Sequence, residues 1–337
     1  MTSLSVSVII IAWNHGHLLP ACLDALMAQE YEAAMEVAVV DNGSHDGTAR
    51  WLLQRHPRVR VWCFPDNRGF SRAFNWGVDH SAGELILSLN PDVVVRRGFV
   101  REIVTALTSP DGAGPVGAVA PKLLQASDPS RLDSTGLFVD RRRRPYDRGQ
   151  GERDQGQYDA LPYVFGACGA AALYRRAMLQ DLAPGGEYLD EGFFAYIEDA
   201  DLAWQAQLRG WRAAYTPRAV ATHARGWGDT LRKRGRAPKS ATGPRLALRN
   251  RYLMTIKNDS LRHLLADLLL ILAAEVPRLA YAAVMRPSVL LGLVDLARCL
   301  PAAMRKRREI QRRRRVSADS VRTWFVSPQE AARRGDS

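Results

Sequence analysis

The stretch "ELILSLNPDVVV" (Glu84–Val95) reads as a buried strand that stops at Asn90-Pro91-Asp92 before apolar residues resume. Proline cannot donate to a strand ladder, so the first run ends there. Asn and Asp favour turns in any fold, and a surface turn is the ordinary explanation of Asp92. A ligand site at the mouth of a sheet is the alternative, and the flanking sequence has to separate the two.

Upstream, strand and helix patterns alternate. "VSVIII" (Val6–Ile11), "VAVVD" (Val37–Asp41), "VRVWCF" (Val59–Phe64) and "LILSL" (Leu85–Leu89) are strand-like. Helical spacing fills Leu18–Gln29, Gly47–His56 and Phe70–Ser81 between them. Apolar strands separated by helices predict an α/β fold, a mostly parallel sheet covered on both faces, with ligands beyond the carboxyl ends of the strands. Those ends share a chemistry: the first strand runs into Asn14, the second into "DNGSHDG" (Asp41–Gly47), the third into "DNRG" (Asp66–Gly69) and the fourth into "NPD". Four polar turns on one sheet edge favour a shared site over four unrelated loops.

Further on, Gly117–Leu124 and Gly136–Asp140 read as strands, Arg141–Asp159 as a polar loop, and Phe165–Leu179 as a strand entering a helix. "IEDAD" places Glu198, Asp199 and Asp201 at the opening of a helix Leu202–Arg209 that Gly210 ends. Acidic residues suit a helix N-terminus, and Asp201 is expected to serve only that purpose. Three carboxylates after the aromatic "GFFAY" exceed capping needs, and apolar surroundings raise a carboxylate toward a useful general base. His223, in "AVATHARGWG", follows a strand-like run. Such a histidine is most often structural, but its imidazole is also a ligand for the cation that Asp92 would hold, which suits Mn²⁺ better than Mg²⁺. The basic, Gly-rich segment after it is an exposed loop or a phosphate lid.

Composition bounds the rest. The 337 residues are 47% hydrophobic and include eight Trp, which fits a folded chain. Four scattered cysteines fit a reducing compartment and argue against structural zinc. The first apolar run lacks a charged leader and a cleavage site, so it is expected to be a strand and not a signal peptide. The net charge of +12 gathers in Arg141–Arg144, Arg232–Arg236 and Arg305–Arg315, with no interleaved aromatics, so nucleic acid is not an expected partner. From about Arg245 the chain reads as long helices. Asp267, Glu275 and Pro277 interrupt the apolar run, leaving it short of the ~20 residues of a membrane span. Amphipathic helices that pack on the body, on a second copy of the chain or on an anionic cytoplasmic membrane surface are expected instead.

In order, "SVIIIAWN", "VVDNGSHDGT", "DNRGFSRAFNWG", "LSLNPDVVV", "GAC", "FFAYIEDADLAWQAQLRGW" and His223 resemble the family 2 glycosyltransferases with the GT-A fold, and most of all their bacterial rhamnosyltransferase-like branch. The resemblance covers roughly residues 6–227. It implies a GT-A domain over 1–240 with a helical, basic region over 241–337. It also implies inverting transfer from a nucleotide sugar, dTDP- or UDP-linked and in that branch dTDP-L-rhamnose, to a glycan or lipid-linked glycan of the cell envelope. The enzyme would work in the cytoplasm or at the inner membrane face. By the same resemblance Ala12, Asn14, Asp41, Asn67, Arg68, Gly69 and Asn90 lie on the donor nucleotide, Asp92 and His223 hold Mg²⁺ or Mn²⁺, and Asp199 is the base. Gly166, Ala167, Cys168 and Glu198 face the acceptor. One departure stands out: Asn90 replaces the first Asp of the usual Asp-x-Asp, so tight metal binding is expected to need the donor diphosphate. "RNRYLMTIKND" (Arg249–Asp259) is expected to meet phosphates or headgroups. A dinucleotide oxidoreductase would need Gly-x-Gly-x-x-Gly after the first strand, which "AWNHGHLLP" lacks. A sugar nucleotidyltransferase would need a Gly-rich basic loop at that point, also absent. A catalytically inactive nucleotide-sugar-binding module remains open.

Overall fold

A computed structural model describes residues 4–108, 114–183, 186–225 and 242–333. The expected alternation is present: β1 (Val6–Ala12), α1 (Leu19–Met27), β2 (Met35–Asp41), α2 (Thr48–Arg55), β3 (Arg60–Cys63), α3 (Phe70–Asp79) and β4 (Leu85–Leu89). After the Asn90-Pro91-Asp92 break come β5 (Val93–Val95), α4 (Phe99–Thr108), β6 (Val116–Gln125) and β7 (Asp128–Ser134). β8 (Leu137–Val139), β9 (Pro145–Asp147), β10 (Tyr163–Val164), β11 (Ala171–Arg175), α5 (Arg176–Leu182), α6 (Glu198–Arg209) and β12 (Arg212–His223) complete the α/β part.

The sheet order is β10-β12-β6-β11-β4-β1-β2-β3, with β5 on β12 and β7 on β6. β3, β2, β1 and β4 are mutually parallel, and β11 inserts antiparallel between β4 and β6. Registers Ala12↔Asp41↔Cys63 and Ile10↔Leu89 bring the ends of β1, β2, β3 and β4 to one edge. Alternate residues of β1 serve the two faces. Ile9 and Ile11 enter the core under α3 and α6, while Val8, Ile10 and Ala12 enter the core under α1 and α4. Both faces are therefore buried, as a crossover-connected parallel sheet requires.

Several expectations change beyond β6. Gly136–Asp140 supplies β8, but in a separate hairpin with β9 and not in the central sheet. β7 and β9 went unread because their polar residues disguise the alternation. The supposed loop Arg141–Asp159 also contains two of the largest fully buried side chains, Arg143 and Arg148. Arg143 is 2% exposed, donates to Asp259 and Asp267 at 2.7 Å each, and lies over the Phe325 ring. Within the run Arg141–Arg144, Arg143 is thus an internal clasp, while Arg142 stays exposed.

The chain after residue 242 forms α7 (Thr242–Asn258), α8 (Leu261–Ala266), α9 (Leu268–Met285), α10 (Leu291–Arg313), α11 (Ala318–Arg322) and α12 (Pro328–Arg333). Leu253, Met254, Ala303, Val321 and Phe325 join the same core as α6. Phe325 meets Trp204 edge-on, with ring centroids 4.8 Å apart. Contrary to the sequence expectation, Glu275 and Pro277 do not break α9, and two of the described helical stretches are long and apolar enough to cross a membrane by length and composition alone. The basic run Arg232–Arg236 and most of the lid segment lie outside the described residues.

Removing Arg143 leaves Asp259 facing a buried void without its guanidinium. Arg143→Ala is expected to lower unfolding free energy by about 3–5 kcal/mol, read from the denaturation midpoint. Arg142→Ala, at an exposed neighbour, should stay within about 0.5 kcal/mol of wild type.

Candidate active site

At the β1–β2 edge, the Asn42 backbone N–H donates to the Ala12 carbonyl at 2.8 Å and closes the ladder. Asp41 is buried and its carboxylate accepts the Ser44 N–H at 3.0 Å. Asn14 adopts a positive φ of 56°, and its side chain accepts the His45 N–H at 2.8 Å. The neighbouring turn is tied down by Asn42. Its amide donates to Asn67 Oδ1 and the Gly69 carbonyl and accepts the Arg68 N–H, at 2.9–3.2 Å. Arg68 stacks over Phe64. Gly69, at φ 85°, admits the Phe194 carbonyl so closely that an added Cβ would lie 2.6 Å from it.

Asp92 meets His223 because β5 pairs antiparallel with the end of β12, His223 opposite Val93. His223 Nε2 lies 3.3 Å from Asp92 Oδ1, and Nδ1 lies 2.8 Å from Asp133 Oδ2. Asp133 also accepts from Arg225, which reaches Asp147 at 2.8 Å. Burial opposes a charge on His223, but the two carboxylate hydrogen bonds outweigh it and push its pKa up to about 9. Asn90 hydrogen-bonds through its backbone to Ala170 at 2.8 Å. Half-buried His15 is near enough to feel Asp92, although burial pushes its pKa down.

A carboxylate backed by an imidazole whose far nitrogen is fixed by a second carboxylate is a recurrent metal-holding arrangement. Among the described residues no cluster of three or more His, Cys, Asp or Glu side chains forms a metal site. Asp92 and His223 could together hold a divalent ion only with its remaining ligands drawn from bound phosphate oxygens or water.

The third group stands at the start of α6. Asp199 accepts the Gly169 N–H at 2.9 Å and that of Ala200 at 2.8 Å, bonds that favour its ionised form, while burial pushes its pKa up. Burial and the neighbouring Asp199 drive the Glu198 pKa up, to about 8. Asp201 points elsewhere: buried, it binds Lys257 and Asn258, each at 2.7 Å. The two charge clusters approach each other at Cys168, whose thiol is raised first by burial and then by Asp147 and Asp199. Gly166 packs against α6, where an added Cβ would collide with Ala203, and Ala167 is buried.

The loop before α6 is strained: Phe194, Tyr196 and Ile197 all have positive φ, at about 1–3 kcal/mol each. Fully buried Asn250 of α7 holds it, donating to the carbonyls of Phe193, Ala195 and Tyr196 at 2.8–2.9 Å. Arg249 adds bonds to Gly192 and Phe193. Most of "RNRYLMTIKND" is therefore spent inside the protein, which corrects the expectation that it meets phosphates or headgroups.

A family model described as glycosyl transferase family 2 matches residues 7–183, more than half of the chain. The chain belongs to glycosyl transferase family 2. An N-acetylglucosaminyltransferase from a Rhizobium species is 28% identical over 226 residues, 64% of this chain and 48% of that protein. An N-acetylglucosaminyl-diphospho-decaprenol L-rhamnosyltransferase from Mycobacterium tuberculosis is 29% identical over 217 residues, 57% of this chain and 67% of that one. The chain spans about half the length of several curated relatives it matches. S. aureus TarS 1-349 in complex with UDP-GlcNAc superposes with a TM-score of 0.57 at 17% identity, over 98% of this chain and 92% of that one. The mannosyltransferase PcManGT from Pyrobaculum calidifontis, in complex with GDP-Man and Mn²⁺, gives 0.51 at 22% identity, over 98% and 85%. At these identities the likeness establishes the GT-A fold.

In this family 2 chain, sequence reading passed over Asn42, Asp133, Gly169 and Asn250. Asn42 hides between two more conspicuous residues, and the partners of Asp133 and Asn250 lie 90 and 54–57 positions away. Because Asn250 holds the strained loop that leads into Asp199, Asn250→Ala is expected to lower sugar-transfer kcat by about 10²-fold. The Kd for nucleoside diphosphate, from titration calorimetry, should change far less.

Proposed function

We propose that this family 2 chain is an inverting glycosyltransferase that moves a sugar from a nucleotide donor to a hydroxyl of a glycan or lipid-linked glycan, with dTDP-L-rhamnose the favoured donor. The observation that carries this reading is the convergence on one sheet edge of Asp199, held by backbone N–H groups, with the Asp92–His223 pair and the polar ends of β1 and β2. The mycobacterial relative's name supports rhamnose. The rhizobial relatives' name favours N-acetylglucosamine from UDP-GlcNAc as a second reading.

Asp41 and the Asn67–Gly69 turn would seat the nucleoside. Asp92 and His223 would hold Mg²⁺ or Mn²⁺, whose positive charge offsets that of the departing diphosphate. Asp199 takes the proton of the acceptor hydroxyl as its oxygen bonds to the anomeric carbon. The bond from that carbon to the diphosphate oxygen breaks on the opposite face, and the nucleoside diphosphate leaves with the electron pair. Glu198, carrying its proton, leaves one negative charge at the base instead of two.

Transfer assays with dTDP-rhamnose and with UDP-GlcNAc test the proposal. One donor should be consumed by the wild type, and Asp199→Asn should lower that turnover by about 10²–10⁴-fold with nucleotide binding intact. Equal turnover by both proteins removes Asp199 from its role, and failure of both to bind nucleotide removes the donor site.

A further inference from the structure

α9 is a helix of 18 residues of which only Glu275 is buried. Its outward side chains include Leu269 at 83% and Val284 at 79% exposure, together with Leu272, Val276, Tyr281 and Met285. Its only charged residues are Glu275 and Arg278. Glu275 is turned inward, where Arg251 and Tyr252 bind its carboxylate, and Arg278 reaches back to the same carboxylate at 3.8 Å. A continuous apolar face some 27 Å long (~1.5 Å per residue) is left toward solvent, well beyond the scattered exposed residues normal on a soluble surface.

The helix is fixed to the body at three points. At its start, buried Asp267 accepts hydrogen bonds from Arg141, Arg143 and Arg322. Glu275 holds its middle. Beyond its end, Gly292 packs so tightly on the Arg245 carbonyl that an added Cβ would lie 2.6 Å away, and Asp295 pairs with Arg245 at 2.6 Å. A helix tied to one folded body at its start and middle, and running on into a helix tied to the same body, lies along that body. It cannot cross a bilayer without breaking those ties, even though its length and composition would permit it.

Charge identifies what covers the face. The exposed stripe of α10 begins with Leu291 and Val294 and ends in Arg305, Arg308 and Arg312. The chain carries a net charge of +12, so a second copy brings more positive charge to this surface, whereas an anionic headgroup layer neutralises it. We propose that the outward face of α9 docks in the plane of an anionic lipid bilayer, with the arginine stripe of α10 on its headgroups. This docking concerns where the protein works and is independent of which sugar it moves.

Flotation of the full chain with vesicles tests it. Wild type is expected to float with phosphatidylcholine–phosphatidylglycerol vesicles and far less with phosphatidylcholine alone. The triple variant Leu269→Glu, Val276→Glu and Val284→Glu should remain unbound while keeping wild-type circular dichroism, since these side chains are exposed. Arg305→Glu, Arg308→Glu and Arg312→Glu together should lower partitioning by at least about 10²-fold and flatten its salt dependence. Wild type that floats with neither vesicle, or a leucine–valine variant that floats as well as wild type, overturns the proposal. A lipid-indifferent wild type that is dimeric by light scattering, and monomeric as that variant, assigns the face to a second copy instead.

Discussion

The site depends on the pairing of a three-residue strand with the end of a twelve-residue one. β5 begins immediately after Pro91-Asp92, and its antiparallel ladder with β12 sets His223 opposite Val93. Without that register Asp92 would be a turn residue and His223 a core histidine. With it, a buried imidazole stands between Asp92 and Asp133, and its raised pKa reflects the negative environment. Buried charges are costly unless paired, so Asp92, His223, Asp133, Arg225 and Asp147 are constrained as a set.

The base end is constrained from outside the α/β sheet. Asp201 is occupied by Lys257 and Asn258, so only two of the three carboxylates of "IEDAD" remain for the site. The same helix, α7, supplies Asn250, whose amide holds three carbonyls of a strained loop. Electrostatics then divides the two carboxylates. Glu198 Oε2 is buried with no hydrogen-bond partner and its pKa is pushed up, whereas Asp199 accepts two backbone N–H groups. The C-terminal helices are thereby part of the frame that positions Asp199.

How much of this was legible in the sequence follows from the range of each interaction. The parallel strands and their shared polar edge were readable because period, turn residues and crossover length are local signals. That Asp201 differs from its neighbours was anticipated as helix capping, but the cause is Lys257, 56 residues away. Arg143 falls in a stretch that reads as a polar loop because its carboxylates lie 116 and 124 residues downstream. Glu275 counted as a break in an apolar segment, since linear order does not show that the helix turns it toward Arg251. Pairing at long range decides which polar residues are buried, and spacing alone cannot report it.

In the proposed site, one carboxylate and one histidine suffice for a divalent ion only when a donor diphosphate completes the shell. Titration calorimetry of Mn²⁺ into the protein, with and without saturating dTDP or UDP, measures it directly. Weak binding alone, strong binding with one nucleotide, and an affinity that rises from pH 7 toward about 9 as His223 sheds its proton are predicted. Equal Mn²⁺ affinity with and without nucleotide, or nucleotide binding that ignores Mn²⁺, would contradict it.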